Sequence, residues 1–339
     1  MEDQHIPKAD MEAVAPPPPP ESPASLRWAI LRRSLLRRPS SSAVPPDHPS
    51  ELRTKNVSRK KGGGFNLIPC HPLDESHVVE GWDALMRAKD LADSRDVCIF
   101  YKLPLEIVPG LVMIQRMEDS LDLNDFDISR RYDIDTTGLV CCWPSEDILA
   151  YFCANRPHIF RSKRVIELGS GYGLAGLAIA ASSDAQEVVI SDGNPDVVDY
   201  IQRNISVNAK VFGATKVKPM TLHWNQNVDS DVSRTFDIIV ASDCTFFKEF
   251  HGSLACTVKS LLKDSEMSEA IFLSPKRGNS LDKFLEKIKE NELNYELVEN
   301  YDTRVWNIHQ KLLSDNVAWP NYDSNHCYPL FVRVTLSRT

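Results

Sequence analysis

A glycine-rich turn between two acidic residues is the first feature of this sequence that could do chemistry. Residues 167–173 read Glu-Leu-Gly-Ser-Gly-Tyr-Gly, between an apolar run and a helix pattern of small residues at 174–181. Asp192 ends the next apolar run. Glycines let a ligand approach the backbone closely, and the first N–H groups of a helix are unpaired. The pattern predicts a strand, turn, helix and acid-tipped strand that bind a nucleoside cofactor.

Two cofactors fit these glycines. Gly171, Gly173 and Gly176 also form Gly-x-Gly-x-x-Gly, with Asp192 about 20 residues on, as a dinucleotide site requires. A pyrophosphate at the helix N-terminus would be repelled by Glu167, however, whereas S-adenosylmethionine carries a sulfonium and an ammonium and no phosphate. We expect S-adenosylmethionine, with a dinucleotide or a purely structural turn as alternatives. Asp192 would accept the ribose hydroxyls, and Glu167 would anchor the turn or reach the cationic group through water.

Two more residues follow predicted strands and are expected at the same edge of the sheet. Asp243 lies in Ala-Ser-Asp-Cys-Thr-Phe-Phe at 241–247, and Trp224 follows the strand before it. The indole could stack on an adenine ring, since aromatic faces stack bases and attract cations. The alternatives are a core tryptophan and an aspartate that only caps a helix. Ligands of such sheets bind beyond the carboxyl ends of the strands, which favours the functional reading.

The elements that would position these residues alternate between strand and helix. Strands are predicted at 164–168, 187–191, 216–221, 236–241 and 269–274, with helices at 174–181, 195–208, 247–262 and 280–290. This alternation predicts a doubly wound α/β fold with a mostly parallel sheet covered on both faces. Ser145 is expected to cap a helix that reaches about residue 154. Strands at 295–299 and 328–336 follow; a helix between them is doubtful, which suits an antiparallel last strand.

Three regions are predicted along the chain. Residues 1–60 are rich in proline, serine and arginine and form a disordered leader. Residues 61–140 form a small β-rich cap, with strands near 97–101 and 111–114 and a helix near 81–91. Residues 141–339 form the α/β domain that we expect to bind S-adenosylmethionine as a methyl donor.

Composition bounds the class of protein and its partners. The chain has 339 residues and a net charge of −8, without an apolar run long enough for a membrane span or a signal peptide core. Its eight cysteines contain no Cys-x-x-Cys pair, so we expect neither a metal site nor a disulfide framework. We expect a monomer in the cytoplasm, with the nucleus as a further location, and no stable association with membranes or nucleic acid.

Charge is distributed unevenly. Residues 21–61 hold ten Lys and Arg against three acids, whereas residues 62–339 hold 28 against 40. The densest basic stretch, 27–38, could form a short amphipathic helix. It could dock on an acidic partner or a membrane surface, act in organelle import, or have no partner at all.

A set of motifs makes a family resemblance specific. These are Trp143, Glu-Leu-Gly-Ser-Gly at 167–171, Asp192, Leu-x-Trp at 222–224 and Ser-Asp-Cys-x-Phe at 242–246. The chain resembles the seven-strand methyltransferases of family 16, which mostly methylate lysines of non-histone proteins. The wider group has Asp-x-x-Tyr where this chain has Phe246. Within the family, the branch that methylates calmodulin also has phenylalanine there, and the Trp-Pro-Ser-Glu and Pro-Lys-Arg-Gly-Asn stretches are similar to that branch.

The resemblance covers about residues 58–336 and implies a fold, a cofactor and a substrate. The fold is a Rossmann-like class I sheet of seven strands, the methyl donor is S-adenosylmethionine, and the partner is calmodulin, methylated stepwise on one lysine. Asp243 and Phe246 are the expected catalytic residues. The residues expected to bind the cofactor are Trp143, Glu167, Gly169, Gly171, Tyr172, Gly173, Asp192, Trp224 and Ser242. Alternatives are another protein-lysine methyltransferase, a small-molecule methyltransferase, an oxidoreductase, or an inactive module that senses the cofactor.

Methyl transfer from a sulfonium is an in-line displacement that needs no metal but does need a neutral amine. A water-poor aromatic channel favours the neutral amine of a lysine. We expect Asp243 to orient this amine, with its proton lost to solvent, and Phe246 and Phe247 to wall the channel or else lie in the core. Calmodulin is acidic, so the leader and the basic pair Lys276 and Arg277 are expected to attract it.

Overall fold

The computed structural model describes residues 64–73, 82–105, 110–116, 143–314, 319 and 322–337. The strands in these ranges are β1 Cys70–Pro72, β2 Asp96–Tyr101, β3 Leu111–Arg116, β4 Arg164–Leu168, β5 Glu187–Asp192, β6 Lys216–Thr221, β7 Ile238–Ser242, β8 Glu269–Pro275, β9 Leu293–Val298 and β10 Pro329–Leu336. The helices in these ranges are α1 Trp82–Leu91, α2 Pro144–Ala154, α3 Leu174–Ser182, α4 Pro195–Asn208, α5 His251–Leu261, α6 Ser280–Glu290, α7 Thr303–Ser314 and α8 Ser324–Cys327. The predicted leader and residues 117–142 lie outside the described ranges.

The main sheet has seven strands in the order β6-β5-β4-β7-β8-β10-β9. Neighbours from β6 to β8 pair in parallel, whereas β10 runs antiparallel to both β8 and β9. The apolar residues of β4, β5 and β7 are buried, as expected for parallel strands that are covered on both faces. The predicted doubly wound sheet with a reversed last strand is therefore confirmed.

The connection between β9 and β10 differs from the prediction. Two helices, α7 and α8, lie there, although a helix was doubted. Val305, His309 and Leu312 are the buried residues of α7, and their spacing of about one turn is that of an amphipathic helix. The antiparallel return of β10 does not depend on the absence of a helix.

The start of α2 also differs from the prediction. Trp143 is the N-cap residue and Pro144 the first helical one, so Ser145 lies inside the helix and does not cap it. Proline is favoured at this first position because its φ is already helical and its missing N–H would have no partner there. The Ser145 hydroxyl is instead free to donate to Asp243 Oδ2, at 3.3 Å.

The small sheet β1-β2-β3 is joined to α4 by two asparagine side chains. Asn204 accepts from the Ile114 N–H at 2.7 Å and donates to the Ile114 carbonyl at 3.3 Å. Asn208 does the same with Val112, at 3.0 and 2.7 Å. Four residues of helix rise about 6 Å and two residues of strand about 6.7 Å, so the two amides match alternate residues of β3. They fill the edge of β3 that faces away from β2.

Within the described ranges, no helix is long and apolar enough to cross a membrane. No disulfide joins any of the six cysteines that lie there.

Candidate active site

Three of the predicted site residues end neighbouring strands. Glu167 is the last residue but one of β4, Asp192 ends β5, and Ser242 ends β7. Because β5, β4 and β7 are adjacent and parallel, the three residues lie along one edge of the sheet. From β4 the chain adds β5 and β6 on one side and then returns to add β7 on the other. Ligands of open α/β sheets bind at this change of direction, beyond the carboxyl ends of the strands.

The glycine turn between β4 and α3 is shaped by its neighbours. Gly169, Gly171 and Gly173 have φ values of +58°, +56° and +83°, a region that L side chains rarely adopt. A Cβ on Gly169 would lie 2.9 Å from the Cys244 sulfur and 3.1 Å from the indole of Trp224. The turn therefore needs glycine for two reasons: the backbone conformation disfavours a side chain, and at Gly169 the neighbouring residues leave no space for one.

Asp192 holds this turn from the next strand. Its Oδ2 accepts a hydrogen bond from the Gly171 N–H at 3.1 Å, and its Oδ1 accepts from the Asn194 N–H at 2.9 Å. The side chain stays partly exposed at the edge of the sheet. The carboxylate thus organises the turn and is also accessible to ribose hydroxyls, the contact that the sequence predicts.

Glu167 is buried beneath the turn, with 1% of its surface exposed. It accepts a hydrogen bond from the Gly176 N–H, in the first turn of α3, at 2.7 Å, so it anchors the turn, as one of the two predicted roles requires. The pKa of Glu167 is raised to about 8, chiefly because the carboxyl is buried; the hydrogen bond from Gly176 lowers this pKa, and the charges of Glu146 and Asp192 raise it.

Glu146 is an acidic residue that the sequence reading missed. It is 7% exposed, lies in the first turn of α2, and its charge raises the pKa of Glu167. In the sequence it resembles any acid placed favourably at a helix start. The charges of Glu146 and Asp192 therefore both act on Glu167, which holds the glycine turn together with Asp192. This donor set suits a cationic nucleoside such as S-adenosylmethionine and opposes a pyrophosphate.

Tyr172, predicted to bind the cofactor, directs its side chain elsewhere. The side chain is fully buried, its ring packs against Tyr200 at 5.1 Å, and its hydroxyl accepts from the Arg116 N–H at 3.0 Å. The side chain therefore joins the turn to β3. Only the backbone of Tyr172 remains a predicted cofactor contact.

Trp224 lies against the turn and not in the centre of the core. Its ring approaches Gly169 and meets Phe250 edge to face at 6.2 Å. The residue is partly exposed. This position is compatible with the predicted stacking on adenine, which stays a prediction.

Asp243, the predicted catalytic carboxylate, is held in a buried ion pair. Its side chain is 4% exposed, and the Arg277 guanidinium donates Nε to Oδ1 at 3.0 Å and Nη2 to Oδ2 at 2.7 Å. Ser145 is a third donor. A direct contact between Asp243 and a substrate amine stays a prediction, and it would require the carboxylate to exchange one of these partners.

Arg277 does not offer the docking charge that the sequence predicts, so that expectation was wrong for this residue. Its side chain is 7% exposed, and its guanidinium lies 4.7 Å from the ring centre of Trp143 and 4.8 Å from that of Phe246. A basic pair after a strand gives no signal of such burial. Its neighbour Lys276 is exposed and remains available.

Phe246 and Phe247 form part of the rim near this cation. Their rings meet edge to face at 4.6 Å, and both residues are partly exposed, which fits walls of a channel better than a core position. The loop that carries them is fixed from α6, because the Ser280 hydroxyl donates to the carbonyls of Thr245 and Phe246 at 2.7 and 3.0 Å. His251 Nε2 lies 2.9 Å from the same Thr245 carbonyl.

Comparisons with known proteins agree with this geometry. A family model described as lysine methyltransferase matches residues 132–291. The calmodulin-lysine N-methyltransferase of Arabidopsis thaliana is 55% identical over 318 residues, which cover 94% of this chain and 98% of that protein. The protein-lysine N-methyltransferase EEF2KMT of Mus musculus is 30% identical over 144 residues, which cover 40% of this chain and 42% of that protein.

Among solved structures, a ribosomal protein L11 methylase from Lactobacillus delbrueckii subsp. bulgaricus matches 57% of this chain and 80% of its own, with 17% identity and a TM-score of 0.38. At that score the fold assignment rests on the sheet order and on the sequence relatives.

Proposed function

Because the chain belongs to the lysine methyltransferase family, we propose that it transfers methyl groups from S-adenosylmethionine to a lysine side chain of calmodulin. The observation that carries the substrate is the match to the Arabidopsis calmodulin enzyme, which extends over 94% of this chain. The mouse protein-lysine N-methyltransferase EEF2KMT, by contrast, matches 40% of this chain. The family model itself stops at residues 132–291.

Segments outside residues 132–291 also help to form the site. The match over 94% of the chain is therefore more informative about the substrate than the match to the family model. Asn325, beyond the core, accepts the Arg277 N–H through its backbone carbonyl at 2.7 Å and the Gly278 N–H through its side chain at 3.1 Å. On the other side, β3 contacts the turn through Tyr172. Residues that differ between branches of a family and border the site are those that select a substrate.

The residues of the chain divide the work of methyl transfer. S-adenosylmethionine supplies a methyl group that already has its leaving group. Asp192 and Glu167 fix the turn that would hold the nucleoside, and the acidic cluster with Glu146 favours its positive charge. Phe246 and Trp143 exclude water near Asp243, which favours the neutral form of an entering lysine. The amine loses its proton to solvent, since a carboxylate would hold that proton.

The test uses the full-length chain, S-adenosylmethionine and calmodulin made without methylation, followed by intact mass spectrometry. We expect calmodulin to gain up to three methyl groups on one lysine. Calmodulin already methylated by the same reaction is the matched control and should gain nothing. If the chain binds S-adenosylhomocysteine but leaves calmodulin unchanged while it labels another protein in a cell extract, the substrate proposal is wrong and the family assignment stands.

A further inference from the structure

Arg277 has the surroundings that an acceptor lysine would need. Its cation lies close to two neighbouring aromatic rings, of Trp143 and Phe246, and its Nε and Nη2 both donate to the Asp243 carboxylate. Aromatic faces and a carboxylate are the groups that recognise a protein ammonium. They are also the groups that the proposed reaction would place around its substrate. From this geometry we infer that Arg277 occupies the acceptor-lysine site in the free enzyme and that the substrate lysine displaces it.

The recess formed by Trp143, Asp243 and Phe246 holds one cation at a time. Arg277 and Asp243 are 7% and 4% exposed, so the guanidinium fills the space in front of the carboxylate. Two cations there would repel each other in a site of low dielectric constant. An incoming lysine therefore takes the place of Arg277; it does not bind beside it.

The loop that carries Arg277 allows this exchange without unfolding. Its backbone is fixed by the hydrogen bonds from Arg277 and Gly278 to Asn325. The flanking residues Lys276, Gly278 and Asn279 are exposed, so the loop lies at the surface. The arginine side chain can therefore swing towards solvent about its own torsions, with the backbone in place.

The inference rests on the proposed function and has a quantitative consequence. If the enzyme's own side chain fills the site most of the time, only a fraction of the molecules can bind the substrate lysine. The apparent dissociation constant is then the intrinsic one divided by that fraction, so the substrate binds more weakly. Removal of Arg277 should therefore strengthen acceptor binding, although it removes a positive charge from an enzyme that binds an acidic protein. If Arg277 had only a structural role, its removal would weaken acceptor binding.

The first measurement compares wild type with Arg277→Ala by calorimetry, using unmethylated calmodulin in the presence of S-adenosylhomocysteine. We expect calmodulin affinity to rise about ten-fold, with S-adenosylhomocysteine affinity within about two-fold of wild type. Unchanged or weaker calmodulin binding in a folded variant would overturn the inference. Lys276→Ala is the matched control, because it removes an exposed charge from the same loop and should not strengthen binding.

The second measurement does not depend on the identity of the substrate and decides the question if Arg277→Ala does not fold. Arg277→Lys keeps a cation opposite Asp243 and places a methylatable amine in the recess. With S-adenosylmethionine, a methyl group should pass from the sulfonium to Nζ of residue 277, with S-adenosylhomocysteine as the leaving group and a proton released to solvent. Peptide mapping should locate the added mass at residue 277.

Arg161→Lys is the control for this second measurement, because Arg161 is 66% exposed and precedes β4, at the opposite edge of the sheet. That variant should gain no mass at residue 161. A folded Arg277→Lys protein that binds S-adenosylhomocysteine but gains no methyl group at residue 277 would contradict the inference. If the wild-type chain fails to methylate calmodulin, the proposed substrate is wrong, while the mass at residue 277 still decides the role of Arg277.

Discussion

The hydroxyl of Tyr172 accepts a hydrogen bond from the backbone N–H of Arg116 at 3.0 Å, which joins the cofactor turn directly to the small N-terminal sheet. The contact continues the row made by Asn208 and Asn204 along the same edge of β3. Asn204 also donates to the Tyr172 carbonyl at 3.3 Å. The position of the turn therefore depends on a sheet that lies outside the α/β core.

We expect Tyr172→Phe to lower both the free energy of unfolding and the affinity for S-adenosylmethionine. The substitution leaves the Arg116 N–H buried without its acceptor, which costs about 1–3 kcal/mol. Denaturant unfolding and calorimetry measure the two effects. Tyr200→Phe is the matched control: its hydroxyl also bonds the small sheet, at Asp96, but it does not lie in the turn. Equal loss of cofactor affinity in both variants would remove the special role of Tyr172.

The buried Glu167 should make cofactor binding depend on pH. Its pKa of about 8 means that the ligand-free enzyme holds this carboxyl protonated at pH 7, and a cationic ligand favours the ionised form. Binding should therefore release a proton, and affinity for S-adenosylmethionine should rise from pH 6 to about pH 8 and then level off. Calorimetry in buffers of different ionisation enthalpy counts the released protons.

Stability should change with pH in the opposite direction. The folded pKa of Glu167 lies above its ordinary value, so the folded state binds more protons than the unfolded state between about pH 4.5 and pH 8. The ligand-free protein should lose stability as the pH rises through this window. Glu167→Gln keeps the shape without the charge and should remove Glu167's share of both pH effects; a variant that retains the full dependence would assign it to another group.

Asp192→Ala should weaken S-adenosylmethionine binding roughly ten- to a hundred-fold, the size of one charged hydrogen bond lost. The variant loses the predicted ribose contact and also the bonds to Gly171 and Asn194 that shape the turn. Asp199→Ala, which removes an acid that is 66% exposed on α4, is the matched control. Unchanged affinity for Asp192→Ala in calorimetry would place the ribose elsewhere.

Deletion of residues 1–57 should raise the KM for calmodulin at low ionic strength, with little change in cofactor affinity. The deletion removes the basic stretch 27–38, which holds five arginines and no acid, whereas residues 62–339 carry more acids than bases. This stretch would attract an acidic partner over about 8–10 Å. Lys276→Glu should raise the KM further. Arg161→Glu makes the same charge change at the opposite edge of the sheet and should have a smaller effect. A KM equal to that of wild type in both variants at every ionic strength would exclude electrostatic attraction by these residues.

The features that could be predicted from the sequence are those that depend on residues close together in the chain. The strands of the parallel sheet are apolar runs bounded by polar residues, and the glycine turn is a local signal, so both could be located. The Asp243–Arg277 ion pair joins residues 34 positions apart, and the pairing of β7 with β8 brings the loops that follow these two strands together. Asn204 and Asn208 look like ordinary polar residues of a helix until β3 lies beside them.

The amide pair on α4 also limits where this chain can be cut. The lysine methyltransferase match begins at residue 132, which makes that position an obvious start for a shortened protein. Such a protein would lack β3 and would leave the buried amides of Asn204 and Asn208 without the strand that they bond. The fragment would therefore lose the hydrogen bonds that join α4 to the rest of the protein at this edge. The apolar residues of α4 that pack against β3 would also be exposed, so we expect the fragment to be less stable and less soluble than the whole chain.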